Sequence, residues 1–155
     1  PTKPGQYINV NQLVELEKSS VFEIGAHTMN HPILANENDE IAAYEIKTSI
    51  EELGKLLKRK ITTFAYPNGS IDLDFGSREM RYLQEAEVDY AFSFEFKSLS
   101  EKDNLLSIPR YGLYHGNKDF VRKKLKYGSI WEPMKKLLLN NEDKYRKKIQ
   151  RELGL

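Results

Sequence analysis

Short runs of β-branched and aromatic residues alternate with longer helical patterns along most of this chain. Each run ends at a glycine, a proline or a polar loop, which is typical of short buried strands. The predicted strands cover residues 21–24, 61–66, 90–94 and 106–113. Strands that alternate with helices favour an α/β fold, so the sequence predicts a parallel sheet or barrel.

Apolar residues at helical spacing mark the segments between these strands. The longest predicted helix covers residues 39–60, in which isoleucine and leucine recur every three to five residues. A short helix begins at Asn9 or Asn11, either of which can serve as its N-cap. Further helices are predicted over residues 76–87, 119–127 and 133–152, with Gly128 as a break between the last two.

The net charge of +1 hides a division of the chain into an acidic body and a basic tail. Residues 1–115 hold 12 Lys and Arg against 18 Asp and Glu, whereas residues 116–155 hold 12 against 5. A basic tail can bind nucleic acid or an anionic membrane surface, but a Lys-rich solvated helix face is the favoured interpretation. The tail aromatics form no stacking stripe, so no nucleic-acid partner is expected.

Composition excludes several kinds of site. The 155 residues include no cysteine, which excludes disulfides, thiolate metal ligands and cysteine nucleophiles. No apolar run approaches the roughly 20 residues of a membrane-spanning helix. The length alone predicts one domain.

Two histidines four residues apart follow the first predicted strand. They are His27 and His31, in the segment Gly-Ala-His-Thr-Met-Asn-His-Pro. In α/β folds the carboxyl ends of strands hold the functional site, and two imidazoles on one turn can bind a single Zn²⁺ ion. The alternative is a pair of loop histidines that bond to the backbone, and the spacing alone does not decide between the two.

The second predicted strand runs into a Pro-Asn-Gly turn. The segment Phe-Ala-Tyr66-Pro67-Asn68-Gly69 can point backbone N–H groups into a cleft, where they would contact substrate or stabilise an oxyanion. An ordinary turn at the end of a strand is the alternative.

In combination, these two motifs resemble the polysaccharide deacetylases, the NodB-homology family known as carbohydrate esterase family 4. The His-Thr-x-x-His-Pro segment is similar to the family's metal motif, and Phe-Ala-Tyr-Pro-Asn-Gly is similar to its third motif. Glu-Ile-Lys-Thr-Ser at residues 45–49 and Ile-Pro-Arg at residues 108–110 resemble flanking family segments. The likeness covers about residues 7–125.

The resemblance implies a distorted (β/α) barrel and a hydrolase that removes N-acetyl or O-acetyl groups from a polysaccharide. It implies that His27 and His31 hold a divalent metal, most often Zn²⁺ with Co²⁺ as an alternative, and that Thr28 orients their loop. It also implies an oxyanion contact from the backbone N–H of Asn68. The family acts mostly outside the cytoplasm, which implies an extracytoplasmic or cell-envelope location.

Several family residues have no match. No Asp-Asp pair occurs in the chain, although the family's Thr-Phe-Asp-Asp motif supplies the catalytic base and the carboxylate metal ligand. The expectation is that this motif lies upstream of Pro1 with the first strands. His115, in Leu-Tyr-His, is a candidate for the acid histidine, with an exposed loop histidine as the alternative. Arg110 either replaces a missing family arginine that orients a carboxylate or forms a surface ion pair.

We therefore expect a partial deacetylase domain over residues 1–127 and a basic helical tail over residues 128–155 packed on it. The favoured hypothesis is part of an active amide-cleaving enzyme that is inactive as these 155 residues alone. The alternative is a relic that binds metal or glycan without catalysis. Surface left open by missing strands would also allow a homo-oligomer.

Overall fold

A computed structural model describes residues 7–95, 97–110, 112, 117–139 and 141–152. Helices and short strands alternate through the first of these ranges, and the last two ranges are helical. The elements in chain order are α1 (Val10–Lys18), a 3₁₀ turn (Leu34–Asn36), α2 (Asp39–Leu57), β1 (Thr63–Ala65), α3 (Ser77–Glu85), β2 (Tyr90–Phe92), α4 (Lys118–Leu139) and α5 (Asn141–Glu152).

The sheet is parallel, as the sequence predicts. Strands β1 and β2 pair in parallel register, with Phe64 opposite Ala91. A single parallel bridge extends the sheet on each side: Ala26 pairs with Phe64, and Ile108 pairs with Phe92. Four segments therefore lie side by side in chain order, with α2 and α3 as the crossover connections. This open α/β arrangement fits part of a barrel.

The two outer strands predicted from sequence are wrong in extent. Residues 21–24 form no strand, and Val21 and Phe22 are 78% and 56% exposed rather than buried. Pairing on this side starts only at Ala26, because a β-branched run forms a strand only where a neighbour accepts its backbone hydrogen bonds. In the predicted strand over residues 106–113, Ile108 alone forms a bridge, and residues 111 and 113 lie outside the described part.

Helix α2 follows the predicted pattern closely. The Asn38 side chain caps it by accepting from the Ile41 N–H at 2.9 Å, and Asp39 and Glu40 place negative charge at its positive end. The helix ends at Leu57, and its C-cap residue Lys58 adopts a left-handed conformation with φ of 55°. The observed end lies three residues before the predicted one. The face that α2 buries holds Ala42, Glu45, Ile46, Ser49 and Ile50.

An aromatic cluster lies beneath the carboxyl ends of the strands. The ring of Tyr66 stacks on Phe75 with centroids 3.5 Å apart and 5° between the planes, and Phe64 meets Tyr66 edge-on. All three side chains are 1% exposed or less. Large stacked rings contribute both buried area and specific geometry, so this cluster holds the strand ends in place.

The basic tail is helical, but its predicted break at Gly128 is wrong. Helix α4 continues through Gly128 and Pro133 to Leu139. A glycine costs about 1 kcal/mol inside a helix, which a helix of 22 residues tolerates. Gln150 of α5 donates to Asn36 Oδ1 at 3.2 Å and to the Leu73 carbonyl at 2.8 Å, so α5 contacts the body. Across the described ranges, no helix is both long enough and apolar enough to cross a membrane.

Candidate metal and substrate site

His27 lies one residue beyond the Ala26 bridge, at the carboxyl end of its segment. Its ring Nδ1 is 2.6 Å from the carbonyl oxygen of Ala65 at the end of β1. A carbonyl oxygen can only accept, so Nδ1 carries a proton, and in the neutral ring Nε2 then presents the lone pair. A histidine fixed in this way through its second nitrogen is a suitable metal ligand.

The rings of His27 and His31 lie side by side. Their centroids are 4.8 Å apart, with 74° between the ring planes, and both residues are exposed. Thr28 links their backbones, because its hydroxyl donates to the His27 carbonyl at 2.5 Å and accepts from the His31 N–H at 3.0 Å. The role predicted for Thr28, orienting the loop, is consistent with these two hydrogen bonds.

This turn contains backbone conformations that L-residues rarely adopt. Thr28 and His31 have φ of 65° and 58°. Left-handed conformations are unfavourable for residues that carry a Cβ atom, and most of all for a β-branched residue such as Thr28. Surrounding contacts must therefore hold the turn.

Glu45 of α2 supplies those contacts. One carboxylate oxygen accepts from the Met29 and Asn30 N–H groups, each at 2.8 Å, and the other accepts from Asn30 Nδ2 at 2.6 Å. Glu45 is 4% exposed, so its carboxylate is largely withdrawn from water. Sequence reasoning did not identify Glu45 as a site residue. The sequence does contain a signal for its burial. Glu45 lies four positions after Ile41, so it falls on the apolar face of the predicted helix.

The Pro-Asn-Gly turn is held by its backbone. Asn68 and Gly69 both have positive φ, 56° and 85°, and the Gly69 carbonyl accepts from the Phe94 N–H at 2.7 Å. A Cβ atom at Gly69 would lie 2.9 Å from the Phe94 nitrogen. Pro67 is buried and Asn68 is exposed. No atom of the described residues accepts from the Asn68 N–H, so this donor is available for the predicted oxyanion contact.

Tyr66 occupies a different position from its neighbours in this motif. Its ring lies in the core, and its hydroxyl donates to the Leu106 carbonyl at 2.8 Å. Burial raises the pKa of the Tyr66 phenol, as does the nearby Glu79 carboxylate. The side chain thus acts as a packing element beneath the site.

Arg110 lies near the end of β2. Its Nε donates to the Ser93 carbonyl at 2.9 Å, and its guanidinium lies 5.8 Å from the centre of the Phe92 ring. Desolvation lowers the pKa of the Arg110 guanidinium. None of the ion pairs found among the described residues includes Arg110, so its suggested role of orienting a carboxylate stays a prediction. His115 lies outside the described residues.

The arrangement brings together two imidazoles and the turn after β1. The Ala65 carbonyl connects the two parts. It accepts the hydrogen bond from His27 Nδ1, and it directly precedes the turn over residues 66–69. Within the described ranges, no group of three histidine, aspartate or glutamate side chains could hold a metal ion. The residues present thus offer two of the three protein ligands that a metal centre of this kind needs.

Comparisons with known proteins show the family of the chain. The family model described as polysaccharide deacetylase matches residues 4–90. A search of curated proteins finds no match.

Solved structures share the fold. The deacetylase PplD of Streptococcus pyogenes, in complex with acetate, is 20% identical with a TM-score of 0.67 over 78% of this chain. A polysaccharide deacetylase from Bacillus cereus is 20% identical with a TM-score of 0.64 over 80% of this chain. The match spans 52% of the streptococcal chain and 38% of the Bacillus chain, about half of their length or less. The family match covers more than half of the sequence, and the chain belongs to the polysaccharide deacetylase family.

Proposed function

We propose that this chain carries part of the active site of a metal-dependent deacetylase that removes N-acetyl or O-acetyl groups from a polysaccharide. The observation that carries the proposal is the His27–His31 pair, whose rings lie 4.8 Å apart and whose first member is oriented by a backbone carbonyl. Membership of the deacetylase family supplies the reaction class.

His27 and His31 would hold the divalent cation, with Zn²⁺ as the first choice and Co²⁺ as an alternative. A bound cation of this kind supplies Lewis-acid polarisation of the acetyl carbonyl and a lower pKa for the attacking water. Thr28 and Glu45 keep the turn between the two ligands in place. The backbone N–H of Asn68, an exposed residue, would donate to the developing oxyanion of the acetyl group.

The sequence has no counterpart for two groups that the reaction needs. The base and the carboxylate ligand that the family resemblance implies have no Asp-Asp counterpart in the sequence. We therefore infer an incomplete catalytic domain, with activity absent or weak for these 155 residues. For the complete protein we infer a polysaccharide substrate and an extracytoplasmic or cell-envelope location.

Metal titration tests the site directly. Isothermal calorimetry with Zn²⁺ should show one binding site in the chain, and His27→Ala or His31→Ala should weaken it by at least about tenfold. His115→Ala is the matched control, because it removes an imidazole that is not a proposed ligand. An unchanged affinity in both ligand variants would contradict the proposed metal site.

Deacetylation assays separate the two remaining hypotheses. With an acetylated oligosaccharide and added Zn²⁺ or Co²⁺, the chain should show little or no turnover. Robust turnover that His27→Ala abolishes would contradict the inference of an incomplete domain. Zn²⁺ or glycan binding without hydrolysis by the complete protein would instead support the alternative, a relic that binds without catalysis.

A further inference from the structure

Helix α4 exposes a continuous stripe of large apolar side chains. The stripe consists of Tyr127, Ile130, Trp131 and Met134, which are 52%, 64%, 61% and 49% exposed. Their spacing of three and four residues places them on one face of the helix. Gly128 is buried and Val121 is half-buried on another face, so the stripe is an exposed side of α4.

Basic residues border this stripe. Lys123 and Lys126 are exposed beside it, and the Lys126 ammonium lies 5.1 Å from the centre of the Tyr127 ring. The surrounding segment, residues 116–155, carries 12 basic and 5 acidic side chains. An apolar face with a Trp residue and flanking lysines is the pattern of a helix that lies in the headgroup region of a membrane.

We propose that α4 docks through this stripe on a membrane surface that contains anionic lipids. The rings of Trp131 and Tyr127 and the aliphatic side chains of Ile130 and Met134 would enter the acyl boundary, while the lysines meet the lipid phosphates. The charge complementarity decides the partner. A second copy that docked through the same face would bring lysines against lysines, and a nucleic acid would leave Ile130 and Met134 without apolar contacts.

The chain offers its own reporter, because Trp131 is its single tryptophan. With vesicles of phosphatidylcholine and phosphatidylglycerol, the protein should sediment with the lipid, and its tryptophan emission should shift to shorter wavelength. Vesicles of phosphatidylcholine alone should bind at least about tenfold more weakly, and added salt should weaken binding to the anionic vesicles.

Two variants separate the apolar and the charged contributions while they keep the reporter. Ile130→Ser with Met134→Ser should reduce vesicle binding by about tenfold or more, with helical circular dichroism retained. Lys123→Glu with Lys126→Glu should reduce it similarly and lower its salt dependence. Val21→Ser with Phe22→Ser is the matched control, because it removes apolar side chains of comparable exposure from the body and should leave binding unchanged.

Three results would overturn the proposal. The first is no binding to anionic vesicles, and the second is binding without a shift of the Trp131 emission, which would reflect charge attraction alone. The third is the formation of a dimer or of a complex with DNA through this stripe. In that case Ile130→Ser with Met134→Ser would disrupt the dimer or the DNA complex, while vesicle binding would persist. Because none of these measurements involves His27 or His31, the proposal is independent of the metal site.

Discussion

The two turns of the candidate site are held in different ways. The turn between His27 and His31 depends on a side chain from another element, since Glu45 of α2 accepts three hydrogen bonds from it. The turn over Pro67–Gly69 depends on its own backbone and on the small size of Gly69, which the Phe94 nitrogen approaches closely. Both turns contain positive φ angles at residues that carry side chains.

The difference shows where each turn is vulnerable. A turn held by one buried carboxylate loses several hydrogen bonds when that carboxylate is removed. A turn held by backbone geometry is sensitive instead to the size and conformational freedom of its own residues. Substitutions that disturb the support of one turn at a time therefore test the comparison.

The largest effect is expected at Glu45. Glu45→Ala leaves the Met29 and Asn30 N–H groups and the Asn30 amide without an acceptor and opens a small cavity, so the free energy of unfolding should fall by about 3 kcal/mol. Denaturant unfolding followed by circular dichroism measures this loss. Glu51→Ala, at an exposed position of the same helix, is the matched control and should change stability little. A loss no larger than the control's would show that Glu45 does not hold the turn.

A smaller effect is expected at Gly69. An alanine there has its Cβ atom 2.9 Å from the Phe94 nitrogen and must adopt φ of 85°, so Gly69→Ala should cost about 2 kcal/mol. Thermal unfolding provides the measurement. Gly76→Ala is the control, because a Cβ at Gly76 meets only the end of the Glu79 side chain at 3.9 Å. Equal costs for the two substitutions would argue against strain at this turn.

The smallest effect is expected at Asn68, whose φ is 56°. Asparagine tolerates this conformation better than alanine does, so Asn68→Ala should lower stability by about 0.5–1 kcal/mol, whereas Asn68→Gly should be nearly neutral. Calorimetric unfolding of both variants measures the difference. If the glycine variant loses as much stability as the alanine variant, then the Asn68 side chain, and not its backbone conformation, is what matters.

The sequence predicted most accurately the elements whose formation is local. Helix α2 has its own cap and its own apolar stripe, so its start at Asp39 could be predicted from neighbouring residues alone. The edge strands could not be predicted in this way, because strand length depends on partners distant in sequence. Residues 21–24 have strand-type side chains and yet form no ladder.

The candidate site shows the same limit. The spacing of His27 and His31 is visible in the sequence. The residue that supports their turn is Glu45 of α2, which lies 14 positions after His31, and only the packing reveals that contact. Tyr66 is a second example. The motif predicts a substrate-contacting turn that includes this residue, and only the packing shows that its ring stacks on Phe75 in the core.

The central claim is that His27 and His31 bind one divalent cation together. X-ray absorption at the zinc edge of the Zn²⁺-loaded protein counts the imidazole ligands of the ion directly. The account predicts two imidazole ligands in the wild-type chain and one in either His27→Ala or His31→Ala, each with Zn–N distances of about 2.0–2.1 Å. An imidazole count that neither substitution changes would contradict it.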